Sequence, residues 1–478
     1  MSHARHKSAV LVVLLMMLVM YQVDATIVNV ATPAIRGDLG ASGAAIELVI
    51  SGYLLASATL LITGARLGQM RGYRSVFLAG LGVFGTASLA CGLAPDPTVL
   101  IGARVCQGVG GALAFPQVLT GIQVTFAEGA ERTRALGLYS IALAGGAVLG
   151  QILGGLLVSA NVLGLGWRPI FLINVPITCV AILAGRRFLP RLRPADSGAG
   201  LDLYGASTLA GAVLLIVLPL SLGGDAGWPV WTWICLGASV PLVATFIALE
   251  RRRPARGRSP LVNLHVIRRP RIAWGLLSQA LAVATYYALL FTLAQYLQGG
   301  LGDTALVSGI TLLPWVVAFG VPGRLLDRLS AHAPALPPVG CVILAAAYAG
   351  ISASMLAGQR SETVLLGLLA LGGLGLGTNF SAILVHLTSS ATPRYAADIS
   401  GVFTTVVQIA GAIGVAAFGT LYMSQMSQIT VPTADTAVHA FGVVTAAFAL
   451  VALVAAATAY RATHPATAHA NATVTARA

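Results

Sequence analysis

The sequence predicts an all-α integral membrane protein with fourteen transmembrane helices, arranged as two sets of six with two extra central helices between them. Three observations point there. Of the 478 residues 57% are hydrophobic and only 9% are charged, whereas a soluble domain is about one quarter charged. Apolar runs long enough to cross a bilayer recur from residue 9 to residue 460. Finally, the basic residues sit almost entirely on alternate loops, the asymmetry that orients membrane proteins.

Cutting at charges, Pro and Gly places the first six spans at 9–33, 46–64, 75–94, 98–124, 134–158 and 167–186. Two more follow at 203–222 and 230–249, and a second six at 272–297, 305–323, 336–357, 362–387, 399–425 and 437–460. The expected organisation is an N-terminal half (1–190), a segment with two inserted helices (191–249), a basic loop (250–271), a C-terminal half (272–460) and a tail (461–478). MSHARHK followed by an apolar run mimics a signal peptide, but the run is long enough to span and reads as an uncleaved first helix.

An even span count puts both termini on one side. All but four of the 28 Lys and Arg lie on that side, the exceptions being Arg36, Arg168 and Arg360 opposite and Arg104 within a span. Both termini are therefore expected in the cytoplasm. The net charge of +13 is accounted for in this way without a nucleic-acid partner. The loop 250–271 carries eight arginines and reads either as an anchor at the anionic inner leaflet or as a regulatory, partner-binding segment. Cys91, Cys106, Cys179, Cys235 and Cys341 show no paired spacing and read as small packing residues. A single lysine, Lys7, among many arginines points to a GC-rich bacterial genome.

The two sets echo each other. Arg66-Leu67-Gly68-Gln69-Met70 after the second span is matched by Arg324-Leu325-Leu326-Asp327-Arg328 in the second set. Gln107-Gly108-Val109-Gly110-Gly111-Ala112 in the fourth span is matched by Gly372-Gly373-Leu374-Gly375-Leu376-Gly377. Such internal repeats mark duplicated transporter halves.

Asp24 is the acidic residue lying deep inside an apolar run, and a carboxylate there must neutralise, find a partner or face water. At 1.5 Å per residue it lies about 22 Å from the inner edge of a roughly 30 Å core, and Arg104 lies about 9 Å from the outer edge. The two charges thus share a depth. The cation and desolvation pull on Asp24 in opposite senses, and hydration decides between them. One reading is a proton-coupling pair, the other a static ion pair locking two helices. Glu47, at the start of the second span, reads as a solvated helix-terminal charge or as a second acidic site in a vestibule.

Val23-Asp24-Ala25-Thr26-Ile27-Val28-Asn29-Val30-Ala31-Thr32-Pro33 and Arg104-Val105-Cys106-Gln107-Gly108 resemble the first-span and fourth-span signatures of the major facilitator superfamily, specifically its fourteen-span drug:proton antiporters. The resemblance covers essentially the whole chain. It implies a major facilitator fold, and proton coupling at Asp24 and Arg104. Gly146, Gly150, Gln151, Gly154 and Gly155 resemble the antiporter signature of the fifth span, with Gln151 in place of its Pro; losing that Pro removes a kinking element. Gly64, Arg66, Gln69, Gly72 and Arg74 partly match the family's gating loop, with Gln69 in place of Asp, while Asp327 keeps the acid and Arg328 the base in the second half. An amide bonds more weakly than a carboxylate, so a less firmly closed cytoplasmic gate is expected, to be tested by whether Gln69→Asp slows turnover or raises the outward-open fraction. Tyr21, Gln107, Gln117, Tyr286, Tyr287, Gln295, Trp315, Asn379 and Gln408 fall in spans that line the central cavity of this fold. They form either a substrate-binding set or ordinary interhelical bridges.

The expected function is export of an amphipathic small molecule, a drug or antibiotic, in exchange for protons across a bacterial inner membrane by alternating access. The alternatives are an exporter of an endogenous metabolite or lipid, or a non-transporting sensor. An intramembrane enzyme needs paired acids, a metal cluster or an activated nucleophile, and His386 and His439 lie near opposite span ends. No metal and no cofactor is expected, the proton gradient supplying the energy, and the chain is expected to be a monomer in the lipid bilayer.

Overall fold

The computed structural model describes residues 3–127, 130–191, 203–223, 226–252, 269–325, 334–389, 396–427 and 433–464. Every regular element among them is helical, as a chain must be when its backbone has no water to bond with. The first bundle comprises α1 (His3–Leu39), α2 (Gly43–Arg71), α3 (Tyr73–Gly92), α4 (Pro97–Thr125), α5 (Ala130–Ala160), α6 (Pro169–Leu172) and α7 (Asn174–Phe188). Next come α8 (Leu203–Gly223) and α9 (Val230–Arg252). The second bundle comprises α10 (Pro270–Ala294), α11 (Ala305–Thr311), α12 (Leu313–Leu325), α13 (Leu336–Leu356), α14 (Glu362–Ser389), α15 (Ala396–Ser427) and α16 (Ala434–Thr463).

Local chemistry sets several of these boundaries. Asp96 caps α4, its Oδ1 accepting from the backbone N–H of Thr98 and Val99, with Pro97 at the first position, where no N–H is needed. Ser42 caps α2. Gly72 separates α2 from α3 at φ 87°, a left-handed conformation that side chains resist.

Twelve of the described helical segments are long and apolar enough to cross a membrane, rather than the fourteen expected. The fifth and eighth helices contribute only the shorter apolar stretches Leu149–Ala160 and Ser207–Gly223. Glu131, Arg132 and Arg134 occupy the start of α5, and each of these stretches lies within a longer helix, of 31 and 21 residues. The expected spans at 167–186 and 305–323 are each divided, at Ile173 and Leu312. Asp327, Arg328, most of the basic loop and most of the tail lie outside the described residues.

Within the first bundle α1 packs on α5, and α4 on both α2 and α3; within the second α10 packs on α15, α14 on α12 and α13, and α13 on α16. The bundles meet where α2 lies on α15 and α5 on α11, while α8 packs against both α2 and α15. Glycine makes the close approaches possible. A Cβ on Gly80 would meet Ala114 N at 2.7 Å and Gly110 O at 2.8 Å; one on Gly340 would meet Asn379 N at 2.6 Å and Gly375 O at 2.7 Å. The α3–α4 and α13–α14 contacts are thus built alike. Similarly, Gly108 packs on the backbone of Tyr53 and Gly373 on that of Trp315, which superimposes the glycine runs that echo each other in the sequence.

Candidate functional site: a buried ionic cluster in the first bundle

Asp24 and Arg104 are both fully buried, and Arg104 Nη1 donates to Asp24 Oδ2 at 2.5 Å. Shared depth therefore becomes direct contact. Gln107, one turn beyond Arg104 on the same face of α4, donates from Nε2 to Asp24 Oδ1 at 2.8 Å and accepts from Arg104 Nη1 at 2.8 Å. Asn174, opening α7, donates to Asp24 Oδ1 at 3.0 Å. Ser88 of α3 receives Gln107 and Asn174 at 3.1 and 3.0 Å and donates to Phe171 O at 2.9 Å.

The guanidinium is held on its other side too. Its Nε donates to Val49 O of α2 at 3.1 Å, and its carbon lies 4.2 Å from the Tyr53 ring centre, a favourable desolvated cation–π contact. Tyr53 Oη in turn donates to Tyr21 O at 3.2 Å, and Gln408 Nε2 of α15 donates to Tyr21 Oη. An unbroken series of contacts runs from the ion pair through Tyr53 and Tyr21 to the second bundle. The cluster satisfies the demand that buried charges be paired and hydrogen-bonded, and it joins α1, α2, α3, α4 and α7 at one point.

A family model described as the Major Facilitator Superfamily matches residues 14–415. The chain belongs to the Major Facilitator Superfamily. It is 34% identical to a protein of Streptomyces coelicolor described as a probable actinorhodin transporter, over 88% of this chain and 74% of that one. It is also 34% identical to the cephamycin export protein of Amycolatopsis lactamdurans, over 82% and 80%. With a puromycin resistance protein of Streptomyces alboniger it shares 32% identity, over 91% and 86%. Among solved structures, a bacterial homologue of the human lysosomal transporter Spinster, in an inward-facing, unoccupied conformation, matches with a TM-score of 0.68 at 17% identity, covering 96% of this chain and 97% of that one. The chain is thus a multi-pass membrane transporter, not an enzyme, and its relatives export or give resistance to antibiotics.

The remaining expected site residues of this transporter fall into three places. Gly64 packs on Ala112, Gln117 donates to Gly64 O at 2.8 Å, and Arg74 donates to Arg186 O at 2.5 Å, whereas Gln69 is exposed. Along α5, Gly146 packs on Gln22, Gly150 on Val23 and Gly154 on Ile27, while Gly155 faces Ala305 of α11. Gln151 donates to Thr26 O at 3.2 Å, and α5 runs through it without a break. Arg66 lies half-buried near the C-terminal end of α2.

In the second bundle Tyr286 stacks on Trp315 at 5.9 Å and touches Tyr287 at 5.4 Å, and Trp315 stacks on Tyr348 at 5.9 Å. Trp315 Nε1, Gln295 Nε2 and Gln408 Oε1 are buried without a hydrogen-bond partner among the described residues. Asn379 donates to Gln279 Oε1 at 3.2 Å. Gln107 sits in the ionic cluster rather than among these groups.

Counting from the matched glycine contacts, Ser88 corresponds to Tyr348 and Arg104 to Leu369. Gly150 packs on the backbone of Val23 as Gly414 packs on that of Ala284, so Asp24 corresponds to Thr285. Tyr348 Oη donates to Thr285 Oγ1 at 3.1 Å. The first bundle carries ions where the second carries an aromatic ring, a hydroxyl and a leucine.

Asn174, Ser88 and Tyr53 were not expected in the site. Asn174 had a readable signal, an amide inside an apolar span. Ser88 and Tyr53 had none, because only packing brings α2 and α3 to the ion pair.

Proposed function

We propose that this chain exports amphipathic, antibiotic-like small molecules from a bacterium in exchange for protons, with both termini cytoplasmic, fourteen spans and alternating access between the two bundles. The observation that carries this reading is the fully buried Asp24–Arg104 pair and its continuous link through Tyr53 and Tyr21 to Gln408 of the other bundle. The names of the antibiotic-exporting relatives support the substrate class.

In the arrangement seen here the carboxylate neutralises the guanidinium. A proton arriving at Asp24 Oδ2 breaks the ion pair and leaves Arg104 as a buried uncompensated charge, a state costing about 3–5 kcal/mol. Opening the site to water relieves that cost, so protonation biases the bundles toward the other conformation. Substrate release and proton uptake then share one intermediate. The half-buried Tyr286 and its ring partners offer the substrate an aromatic surface with free donors and acceptors near it.

The test uses inside-out vesicles carrying a proton gradient and a pH-sensitive dye. Adding a transported compound to the wild type should dissipate the gradient. Asp24→Asn should abolish that response, and an Asp24→Asn protein that still exchanges substrate for protons would refute the assignment.

A further inference from the structure

The helix α9 ends in two exposed arginines, Arg251 and Arg252. With Ala244, Ile247 and Ala248 they line a cavity of about 490 Å³. The acid beside them, Glu250, is buried where they are not. Positions 240, 244, 247, 248 and 251 fall on one helix face, and Val240 is 69% exposed. At 1.5 Å per residue the stripe from Val240 to Arg251 is about 16 Å long, the depth of one leaflet of a roughly 30 Å core.

The other side of the same turn is anchored in protein. Phe246 is buried in a cluster with Ile272 and Leu276 of α10, Ile383 of α14 and Phe403 of α15. Arg271 precedes Ile272 at the start of α10, and Arg461, near the end of α16, holds its guanidinium carbon 5.0 Å from the centre of the Trp274 ring, which packs on that cluster. Among the described residues none of these four arginines has a carboxylate partner. Three helix ends thus bring positive charge to one apolar cluster and leave it unbalanced.

We propose that the cavity on α9 binds an anionic phospholipid, its phosphate between Arg251 and Arg252 and an acyl chain along Val240, Ala244 and Ala248. A guanidinium meets a phosphate through two parallel N–H···O bonds, and basic groups at the membrane boundary attract anionic headgroups. The alanines leave room for a chain that larger side chains would fill. A free phosphate gains the first contact without the second, and a zwitterionic lipid brings its own cation against the arginines. The bound lipid covers the face of α9 opposite Phe246, so it steadies the inserted helices against the second bundle. This site does not depend on the transport proposed above.

Delipidated protein in dodecyl maltoside, titrated with dioleoylphosphatidylglycerol and followed by native mass spectrometry, supplies the test. The wild type should bind its first molecule of this lipid roughly tenfold or more tightly than dioleoylphosphatidylcholine. Arg251→Gln combined with Arg252→Gln should weaken that binding about 20- to 30-fold, roughly fivefold per arginine. Ala248→Trp, which keeps both charges and fills the groove, should weaken it as well. The matched control removes the same charge elsewhere: Arg186 and Arg187 are exposed at the end of α7, and Arg186→Gln combined with Arg187→Gln should leave the affinity unchanged. Glycerol 3-phosphate, the headgroup chemistry without chains, should not displace the lipid. Equal weakening by the two arginine pairs would reduce the effect to overall charge, and displacement by glycerol 3-phosphate would reduce it to an anion site. Either result, or a wild type that does not distinguish the two lipids, would overturn the proposal.

Discussion

Both oxygens of the Asp24 carboxylate are occupied, Oδ2 by Arg104 and Oδ1 by Gln107 and Asn174. Asp24→Asn should therefore remove proton-driven efflux while leaving the protein in the membrane, measured as loss of compound-induced gradient dissipation beside unchanged expression. Asn174→Ala strips one donor from a buried charge, an interaction worth about 1.5–3 kcal/mol, and should slow efflux roughly tenfold or more in the same vesicles without abolishing it. At this scale the sequence was legible in part. Asp24 and Arg104 could be paired by counting residues along two spans, because depth in a bilayer is a one-dimensional coordinate. Asn174 and Ser88 could not, because rotation about a helix and the choice of neighbour belong to packing.

Glycine spacing decides how helices approach. On α5, Gly150 would place a Cβ 2.6 Å from Val23 O, one residue from Asp24. Gly150→Ala should force α1 and α5 apart at a cost of about 1–3 kcal/mol, lowering the melting temperature in detergent and cutting efflux. Gly102→Ala is the matched control: nothing lies within 4 Å of its Cβ position, and it should leave both unchanged or raise stability by up to about 1 kcal/mol. The helices themselves were plain in the sequence, since apolar length is a composition signal. The divisions at Ile173 and Leu312 also had a signal there, Pro176 and Pro314 just downstream, each lacking the N–H that the preceding turn would use. The replacement of the fifth-span Pro by Gln151 raised doubt about a bend, and α5 does run straight through that position with the amide bonded to α1.

Across the whole molecule, proton and substrate chemistry are expected in different bundles. Trp315→Ala and Tyr286→Ala should change which compounds are exported, read as altered growth protection across a panel of antibiotics, while compounds still transported go on dissipating the proton gradient. Loss of coupling for every compound would argue against that separation. The overall plan was readable early because the repeated glycine runs and the lopsided arginines are long-range patterns within the sequence. The junction of α2, α8 and α15 was not readable, since it depends on where the two extra helices dock. Glu47, which the sequence left open between a solvated helix-terminal charge and an acidic site in a vestibule, is for that reason found buried only in the structure.

The correspondence of Asp24 with Thr285, and of Arg104 with Leu369, has a consequence for how such a protein changes over generations. A duplicated chain that keeps its ions in one copy frees the other to vary. On the function proposed above, mutations around Trp315 would adapt the exporter to a new toxin without disturbing its energy supply, and repairs to that supply would not narrow its range of cargo. The two copies can be selected almost as separate genes that happen to share one polypeptide.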